Sequence, residues 1–450
     1  MIDLSPERIA EAAGLEILAE GPAGRPERAV IDSREVSQGD LFFGLPGESA
    51  DGGEFAPGAI ADGAWGVVCL PQHARAAARE GRFAWVYSTS DPLAALQALA
   101  REWRWELEPK VVGITGSTGK TSVKDITKTL LPFRVHASPE NYNTEIGLPL
   151  AILAAPPGTE VLVLEMAMRG VGQIAELCEI AEPDVGAITN VGPVHLELLG
   201  TLEAIAEAKA EILGGLGEEG RAVVPVDAEA LEPHLADELE VLTFGPGGDV
   251  HALETSLSGR SADVVVSTPV GEQRFVLPFA ESYNILNTLA AVAIGVSLDA
   301  DLAAMARRAA DITFSRLRGE HHELGGGVTL VNDCYNANPI SMHAALESLA
   351  EMPGGRKVAV LGEMAELGPD AATYHREIGS LARGLGIGPV IGVGEMARDY
   401  APDEWAADPS AAVEIADGVL GEGDVVLVKG SRSVGLEHFT DELIGRRGSA

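Results

Sequence analysis

From residue 111 onward, short β-branched runs alternate with helical stretches: VVGITG at 111, VLVLEM at 161, VGAITN at 185, AVVPV at 222, VTLVND at 328, KVAVLGEM at 357 and VVLVKGS at 425. Parallel strands need connections long enough to hold a helix, so this alternation predicts an α/β chain of parallel sheets flanked by helices. Residues 1–89 read differently, with short strands and many Gly and Pro turns, as a small separate α/β domain. A further boundary is expected near 314, where the Ala-rich helix DADLAAMARRAADI gives way to fresh strands. The expected division is 1–89, 90–314 and 315–450, and a chain of 450 residues is long enough for three cores.

The sign of the charge narrows the partners. With 68 acidic against 32 basic residues, the net charge of −36 repels a nucleic-acid backbone or an anionic membrane, and the acidity reads as a solvated surface. Apolar runs such as LAAVAIGVSL at 289 fall short of a membrane span. MIDLSPERIAEAAGL lacks a basic leader and looks like a capped helix, with Ser5 as N-cap and Pro6 in the first turn. Cys69, Cys178 and Cys334 are far apart and without metal-ligand spacing, which suits a reducing compartment. A cytoplasmic protein is expected, with no nucleic-acid partner and no membrane insertion.

In TGSTGKT the strand VVGIT runs into Gly116 and Gly119, which let the backbone turn and approach an anion. Lys120 and Thr121 then open a helix whose N-terminal amides favour phosphate. Lys120 would reach the outer phosphates and the Thr121 hydroxyl would bind Mg2+. The standard pattern has a further glycine five residues before Gly119, and here Ile114 stands there. An ordinary glycine-rich turn is the other reading of the segment, and the strand-turn-helix context argues against it. Lys124 and Lys128, at helical spacing after Lys120, read as solvated surface.

A second lysine is more informative. In LEAIAEAKAEILGGL at 202, Leu202, Ile205, Ile212, Leu213 and Leu216 form one apolar stripe, Glu203, Glu207 and Glu211 lie opposite, and Lys209 falls within the stripe. Desolvation lowers the pKa of such a lysine, and a neutral amine can capture CO2 as a carbamate, turning a cation into an oxygen-donor anion. Glu165 ends the strand VLVLE and His195 follows the strand VGAITN, where open α/β sheets place ligand-binding groups. With Thr121 they would make a site for one or two Mg2+ ions, suited to ATP. A lone histidine in a loop is more often structural, so the set carries the reading.

Taken together, TGSTGKT, Glu165, His195 and Lys209 resemble the phosphate loop, magnesium ligands and carbamylated lysine of the Mur ligase family, ATP-dependent amide-forming enzymes of peptidoglycan synthesis, over essentially the whole chain. The resemblance implies a central domain with a P-loop-type parallel sheet, an N-terminal domain for a uridine nucleotide and a Rossmann-like C-terminal domain. It puts Thr115, Gly116, Ser117, Thr118, Gly119, Lys120 and Thr121 on the phosphates of ATP, and Asn284 and Asn287 of ESYNILN on the adenine. Lys120, Lys209 and His195 would be its catalytic residues, with Thr121, Glu165, His195 and Lys209 at the metal. IDSREVSQGDLFFGLPGESADGGEF resembles the uridine-binding segment, which implies Ser33 and Arg34 near the nucleotide.

Within the family, VNDCYNANPISM, VLGEMAELGPDAATYH and LVKGSRS resemble the members that add D-alanyl-D-alanine to UDP-N-acetylmuramoyl-tripeptide, and the DNPR of the sister ligase for the third residue is absent. That likeness puts Arg316, Asp333, Tyr335 and Asn336 on ATP, and Asn141, Asn143, Asn338, Lys429, Ser431 and Arg432 towards the substrates. Three departures are visible: DGG at Asp51–Gly53 where DGH is common, Thr144 where asparagine is frequent, and Ser315 where glycine often precedes the arginine. The implied reaction passes through an acyl phosphate, in a monomer. The nearer rival is a related ligase with another acceptor, and the rival from another class is a P-loop regulatory NTPase, which leaves Lys209 unexplained.

Overall fold

The computed structural model describes residues 2–48, 50–79, 83–139, 141–194 and 196–448. Among the described residues three sheets that are parallel but for one edge strand or none follow one another along the chain, with a small antiparallel sheet between the last two. The first has β1 (Glu16–Ala19), β2 (Ala29–Val30), β3 (Leu41–Phe43), β4 (Gly66–Cys69) and β5 (Trp85–Ser88) in the order β1-β5-β4-β3-β2, with only β1 antiparallel. The helix that opens the chain, Pro6–Ala12, has the expected cap, Arg8 donating its amide to Ser5 Oγ at 3.2 Å.

The second sheet is wholly parallel: β6 (Lys110–Thr115), β7 (Val135–Ala137), β8 (Val161–Glu165), β9 (Val185–Ile188), β10 (Arg221–Pro225) and β11 (Glu240–Phe244), ordered β11-β10-β9-β6-β8-β7. Its central strands β6, β8 and β9 are buried on both faces, which is why VVGIT, VLVLE and VGAI read as unbroken apolar runs. One face is covered by the helices Lys120–Leu130 and Ser282–Ser297, the other by Gly147–Leu153, Gln173–Ala181 and Leu202–Gly214. The second of these cores runs without a break into the N-terminal sheet through Phe43, Tyr87, Leu96, Trp103, Leu148 and Leu162.

An antiparallel meander, β12 (His251–Ser258), β13 (Ser261–Thr268) and β14 (Gly271–Leu277), interrupts the parallel pattern and packs Val264, Val266 and Phe275 onto the same core as Ser282–Ser297. The third sheet holds β15 (Glu320–Leu324), β16 (Val328–Asn332), β17 (Lys357–Gly362), β18 (Val390–Val393), β19 (Glu404–Ala406) and β20 (Val425–Lys429) in the order β15-β16-β20-β17-β18-β19, with β15 antiparallel. Among the described residues no helix is long and apolar enough to cross a membrane.

In the third sheet, the segment after β17 is fastened by a fully buried histidine. His375 Nε2 accepts the Met364 amide at 3.0 Å and Nδ1 donates to the Ala371 carbonyl at 2.7 Å, so the ring is held neutral. Burial pushes its pKa below the usual 6.5, against the opposing pull of the Ala371 carbonyl, Asp399 and Glu363. The stability that the neutral ring contributes is present in full above pH 6.5 and is lost as the pH falls from there towards the lowered folded value. Between pH 7.5 and 5.5, thermal melting of the wild type is expected to fall by several degrees more than that of His375→Gln; equal losses would mean that His375 is not the titrating group.

Candidate active site

β6 lies where the strand order reverses, with β8 on one side and β9 on the other, and a crevice opens beyond the ends of these three strands. The loop leaving β6 requires its glycines. Gly116 has φ 149° and a Cβ there would stand 1.9 Å from Thr189 Oγ1; Gly119 has φ 80° and a Cβ would meet Asn287 Oδ1 at 2.7 Å. The loop is anchored to the segment after β9: Ser117 Oγ donates to the Gly192 carbonyl at 3.0 Å and the Thr118 amide donates to Asn190 Oδ1 at 2.8 Å. Lys120, at the first turn of the helix that follows, folds back onto the Gly116 carbonyl at 2.7 Å. Burial lowers its pKa, Glu165 opposes that shift and Arg318 adds to it.

Glu165, at the end of β8, is 6 % exposed and faces this loop. It accepts from Thr121 Oγ1 at 2.8 Å and from Asn143 Nδ2 at 3.0 Å. Burial alone would raise its pKa, and Lys120, Asn143, Arg318 and Thr121 together reverse that and hold it ionised. A carboxylate and a hydroxyl within hydrogen-bond reach, beside a phosphate-type loop, are the hard oxygen donors that Mg2+ takes together with nucleotide phosphates and water. The donors fit the ion. Among the described residues no group of three or more His, Cys, Asp or Glu is placed to hold a metal ion.

Lys209 is 2 % exposed within the helix Leu202–Gly214, on the face that also buries Ile205 and Ile212. Its pKa is pushed well below 10.5 by burial first and by the charge of Lys120 second. The repulsion from Lys120 places the two amines in one electrostatic neighbourhood, and a carbamate at Lys209 would replace that repulsion by attraction. His195, the remaining expected ligand, lies outside the described residues.

Across the crevice stands the third sheet. A cleft of about 820 Å3 is lined by Ser117, Thr118, Gly119, Lys120, Thr121, Asn143, Glu165, Asn284 and Asn287 on one wall and by Asp333, Tyr335, Asn336, Asn338, Lys429, Ser431 and Arg432 on the other. Asn141 joins them through the Tyr335 hydroxyl, which donates to its side chain. Thr115, 1 % exposed, lies beneath the loop. Ser33 and Arg34 lie in the 3-10 turn Ser33–Glu35 between β2 and β3 and do not line this cleft; Arg34 is exposed and pairs with Asp32, whose carboxyl it holds down at about 2.

Some residues sit elsewhere than expected. Arg316 is exposed and does not line the cleft, whereas Arg318 does. Arg318 Nη2 donates to Thr121 Oγ1 at 3.2 Å and its guanidinium lies 3.9 Å over the Tyr335 ring, joining the two walls. The shift of two residues follows from Leu317, whose left-handed φ of 63° turns the chain just before it enters β15. Lys124 is buried, not solvated: its Nζ donates to the Ser138 carbonyl at 3.0 Å and lies 3.3 Å from Asp125. Asn338 is chiefly an N-cap, accepting the Ser341 amide at 2.9 Å while Ser341 Oγ accepts its amide at 3.1 Å. Lys429, 3 % exposed, braces the opposite wall by donating to Asp333 Oδ2 at 2.6 Å and the Asn336 carbonyl at 3.1 Å. Tyr283, Arg318 and Glu366 line the cleft and were not singled out in sequence.

Family profiles match almost end to end: the Mur ligase family catalytic domain over residues 29–103, the Mur ligase middle domain over 114–295 and the Mur ligase glutamate ligase domain over 317–432. The chain is 36 % identical to the UDP-N-acetylmuramoyl-tripeptide--D-alanyl-D-alanine ligase of Synechocystis, over 92 % of this chain and 91 % of that protein. It is 32 % identical to the enzyme of the same name from Bacillus subtilis, over 92 % of each chain. Among solved structures, MurF from Acinetobacter baumannii superposes with a TM-score of 0.87 at 26 % identity over 98 % of both chains. MurF ligase from Thermotoga maritima in complex with ADP does so with a TM-score of 0.82 at 32 % identity, over 92 % of this chain and 96 % of that one.

Proposed function

The chain belongs to the Mur ligase family, and from that premise we propose that its cleft joins a peptidyl nucleotide to a dipeptide at the expense of ATP. It is an ATP-dependent ligase that adds D-alanyl-D-alanine to UDP-N-acetylmuramoyl-tripeptide in peptidoglycan synthesis. The observation that carries the residue-level reading is the single cleft that sets a phosphate loop and Glu165 on one wall against Asp333–Asn338 on the other.

The tripeptide's terminal carboxylate is not attacked by an amine at neutral pH, so its oxygen first takes the γ-phosphoryl group of ATP, with ADP leaving. The amine of the dipeptide then attacks the acyl carbon, the C–O bond to phosphate breaks and an amide remains. Lys120 and the loop amides hold the phosphates, and Arg318, bonded to the Thr121 hydroxyl, adds a second positive group beside the group being transferred. Asn284 and Asn287 stand at the start of the helix Ser282–Ser297, where an adenine would lie, and Asp333 and Asn336 face them. Asp333 would take the ribose, with Lys429 fixing its carboxylate. Mg2+, when bound, neutralises charge on the phosphates; Thr121, Glu165, a carbamylated Lys209 and His195 would hold it.

The uridine nucleotide would lie on the N-terminal sheet near Ser33 and Arg34, with Asn143 guiding the peptide towards Glu165. The proposed division is 1–89, 90–314 and 315–450, and cytoplasmic placement as a monomer suits these substrates. Phosphate release from ATP in the presence of UDP-N-acetylmuramoyl-tripeptide, with and without D-Ala-D-Ala, tests the reading. Release that needs both, with a nucleotide product heavier by the dipeptide less water, is the expected result; turnover indifferent to the dipeptide would overturn it.

A further inference from the structure

Lys124 is buried between its helix and the end of β7, and it has no part in the reaction described above. Its Nζ donates to the Ser138 carbonyl at 3.0 Å, with Asp125 Oδ1 3.3 Å away. That carbonyl is not where the sheet would put it. β7 and β8 pair in parallel with Ala137 opposite Val163, and the Ser138 amide carries the ladder one step further by donating to the Val163 carbonyl at 2.9 Å. In a regular parallel ladder the next bond runs from the Glu165 amide to the Ser138 carbonyl. Here the Glu165 amide donates to Ser138 Oγ instead, at 3.1 Å, and the carbonyl goes to Lys124. A side-chain hydroxyl has replaced a main-chain acceptor at the residue whose carboxylate faces the phosphate loop.

The chain that leaves β7 at Ser138 returns to the same strand end. There Asn143 Nδ2 donates to Glu165 Oε1 at 3.0 Å and the Asn143 carbonyl accepts the Ala167 amide at 2.9 Å, while Glu165 Oε2 accepts from Thr121 Oγ1 at 2.8 Å. Thr121 and Lys124 are three residues apart on the helix Lys120–Leu130 and so stand on one side of it. The helix that follows the phosphate loop thus grips Glu165 twice: at its carboxylate through Thr121, and at its main chain through Lys124 and Ser138. Without the amine the Ser138 carbonyl would be a buried acceptor with no partner, and the donor that the ladder offers it is the Glu165 amide. The carbonyl would then displace the hydroxyl, and Glu165 would move with the exchange.

We infer that Lys124 is a positioning residue for Glu165: it holds the Ser138 carbonyl out of the ladder so that the hydroxyl seats the Glu165 amide, and this sets where the Glu165 carboxylate stands against the phosphate loop. The role rests on the ligase reading above and lies beneath the cleft, away from any substrate. Lys120 and the loop amides make the ground-state contacts with ATP, so a misplaced Glu165 slows phosphoryl transfer more than it weakens nucleotide binding.

Kinetics and calorimetry on the full enzyme test it. Lys124→Met keeps the length and packing of the stem and removes the donor, and Ser138→Ala removes only the hydroxyl. Each is expected to lower kcat about tenfold to a hundredfold, with KM for D-Ala-D-Ala and the calorimetric Kd for ATP, measured without acceptor, within about threefold of the wild type. Ser138→Thr, which keeps the hydroxyl, is expected to stay closer to the wild type than Ser138→Ala. Since both substitutions break one relay, the double variant should lose little more than either alone. ATP affinity that falls as far as kcat, a lowered melting temperature with kcat intact, or losses that multiply in the double variant would overturn the role while wild-type ligation stands. Should Lys124→Met not fold, a wild-type kcat in Ser138→Ala would overturn it equally. A wild type that does not ligate D-Ala-D-Ala would remove the ligase reading and this role together.

Discussion

Lys209→Ala is expected to lose ligase activity by about a thousandfold or more while melting at or near the wild-type temperature. The two halves of this expectation come from one fact. A lysine that is 2 % exposed and repelled by Lys120 contributes nothing favourable to folding as a cation, so its removal relieves desolvation as well as leaving a small cavity. Its depressed pKa favours the neutral amine, the form that takes up CO2, and the carbamate so formed would be an oxygen donor beside Lys120 and Glu165. Short carboxylates such as acetate should therefore restore part of the activity of the variant. Alkylamines should not. Wild-type rates in Lys209→Ala without added carboxylate would refute the ligand role, and rescue by an amine would point to the free lysine instead.

The second large effect separates two neighbouring arginines. Arg318→Ala is expected to lower kcat by about a hundredfold to a thousandfold, because its guanidinium touches the Thr121 hydroxyl and helps to keep Glu165 ionised. Arg316→Ala, outside the cleft, is expected to stay within about threefold of the wild type. The sign of the pH effect is also fixed. Arg318 lowers the pKa of Glu165, so without it the carboxylate protonates at higher pH, and the acidic limb of the pH–rate profile should move upward. A larger loss in Arg316→Ala than in Arg318→Ala would return the role to the residue first expected.

That Arg318 and not Arg316 lines the cleft marks where sequence reasoning runs out. The parallel strands were legible because burial on both faces leaves unbroken apolar runs, and the phosphate loop because Gly116 and Gly119 are demanded by backbone geometry. Lys209 was legible because helical periodicity places it among leucines and isoleucines. A left-handed Leu317 has no such signature, since leucine does not favour that conformation, and the register of everything between it and β15 depends on it. The meander β12–β14 was readable in principle: SADVVVST alternates buried and half-buried side chains with period two, but it sits inside a helical alternation that draws attention elsewhere. Lys124 was misread because helical spacing gives a direction on the helix and not what lies beyond it; β7 and Ser138 occupy that side. Glu366 and Tyr283 carry no local pattern at all, and only the assembled cleft brings them forward.

One bond has a mechanical meaning. Asp125, on the helix that begins at Lys120, accepts the Ser315 amide at 2.8 Å, just where the chain leaves the central sheet for the third one. The join between the two bodies is thus nailed to the same rod whose tip holds the phosphates. Arg318, three residues past that nail, sits on a short lever arm and travels little in any rotation about it, whereas β18 and β19, at the edge of the third sheet far from β15, sit on a long one. Nucleotide affinity should then be indifferent to how far the enzyme is shut, and the far edge of the third sheet should be what a stiff or loose joint displaces most.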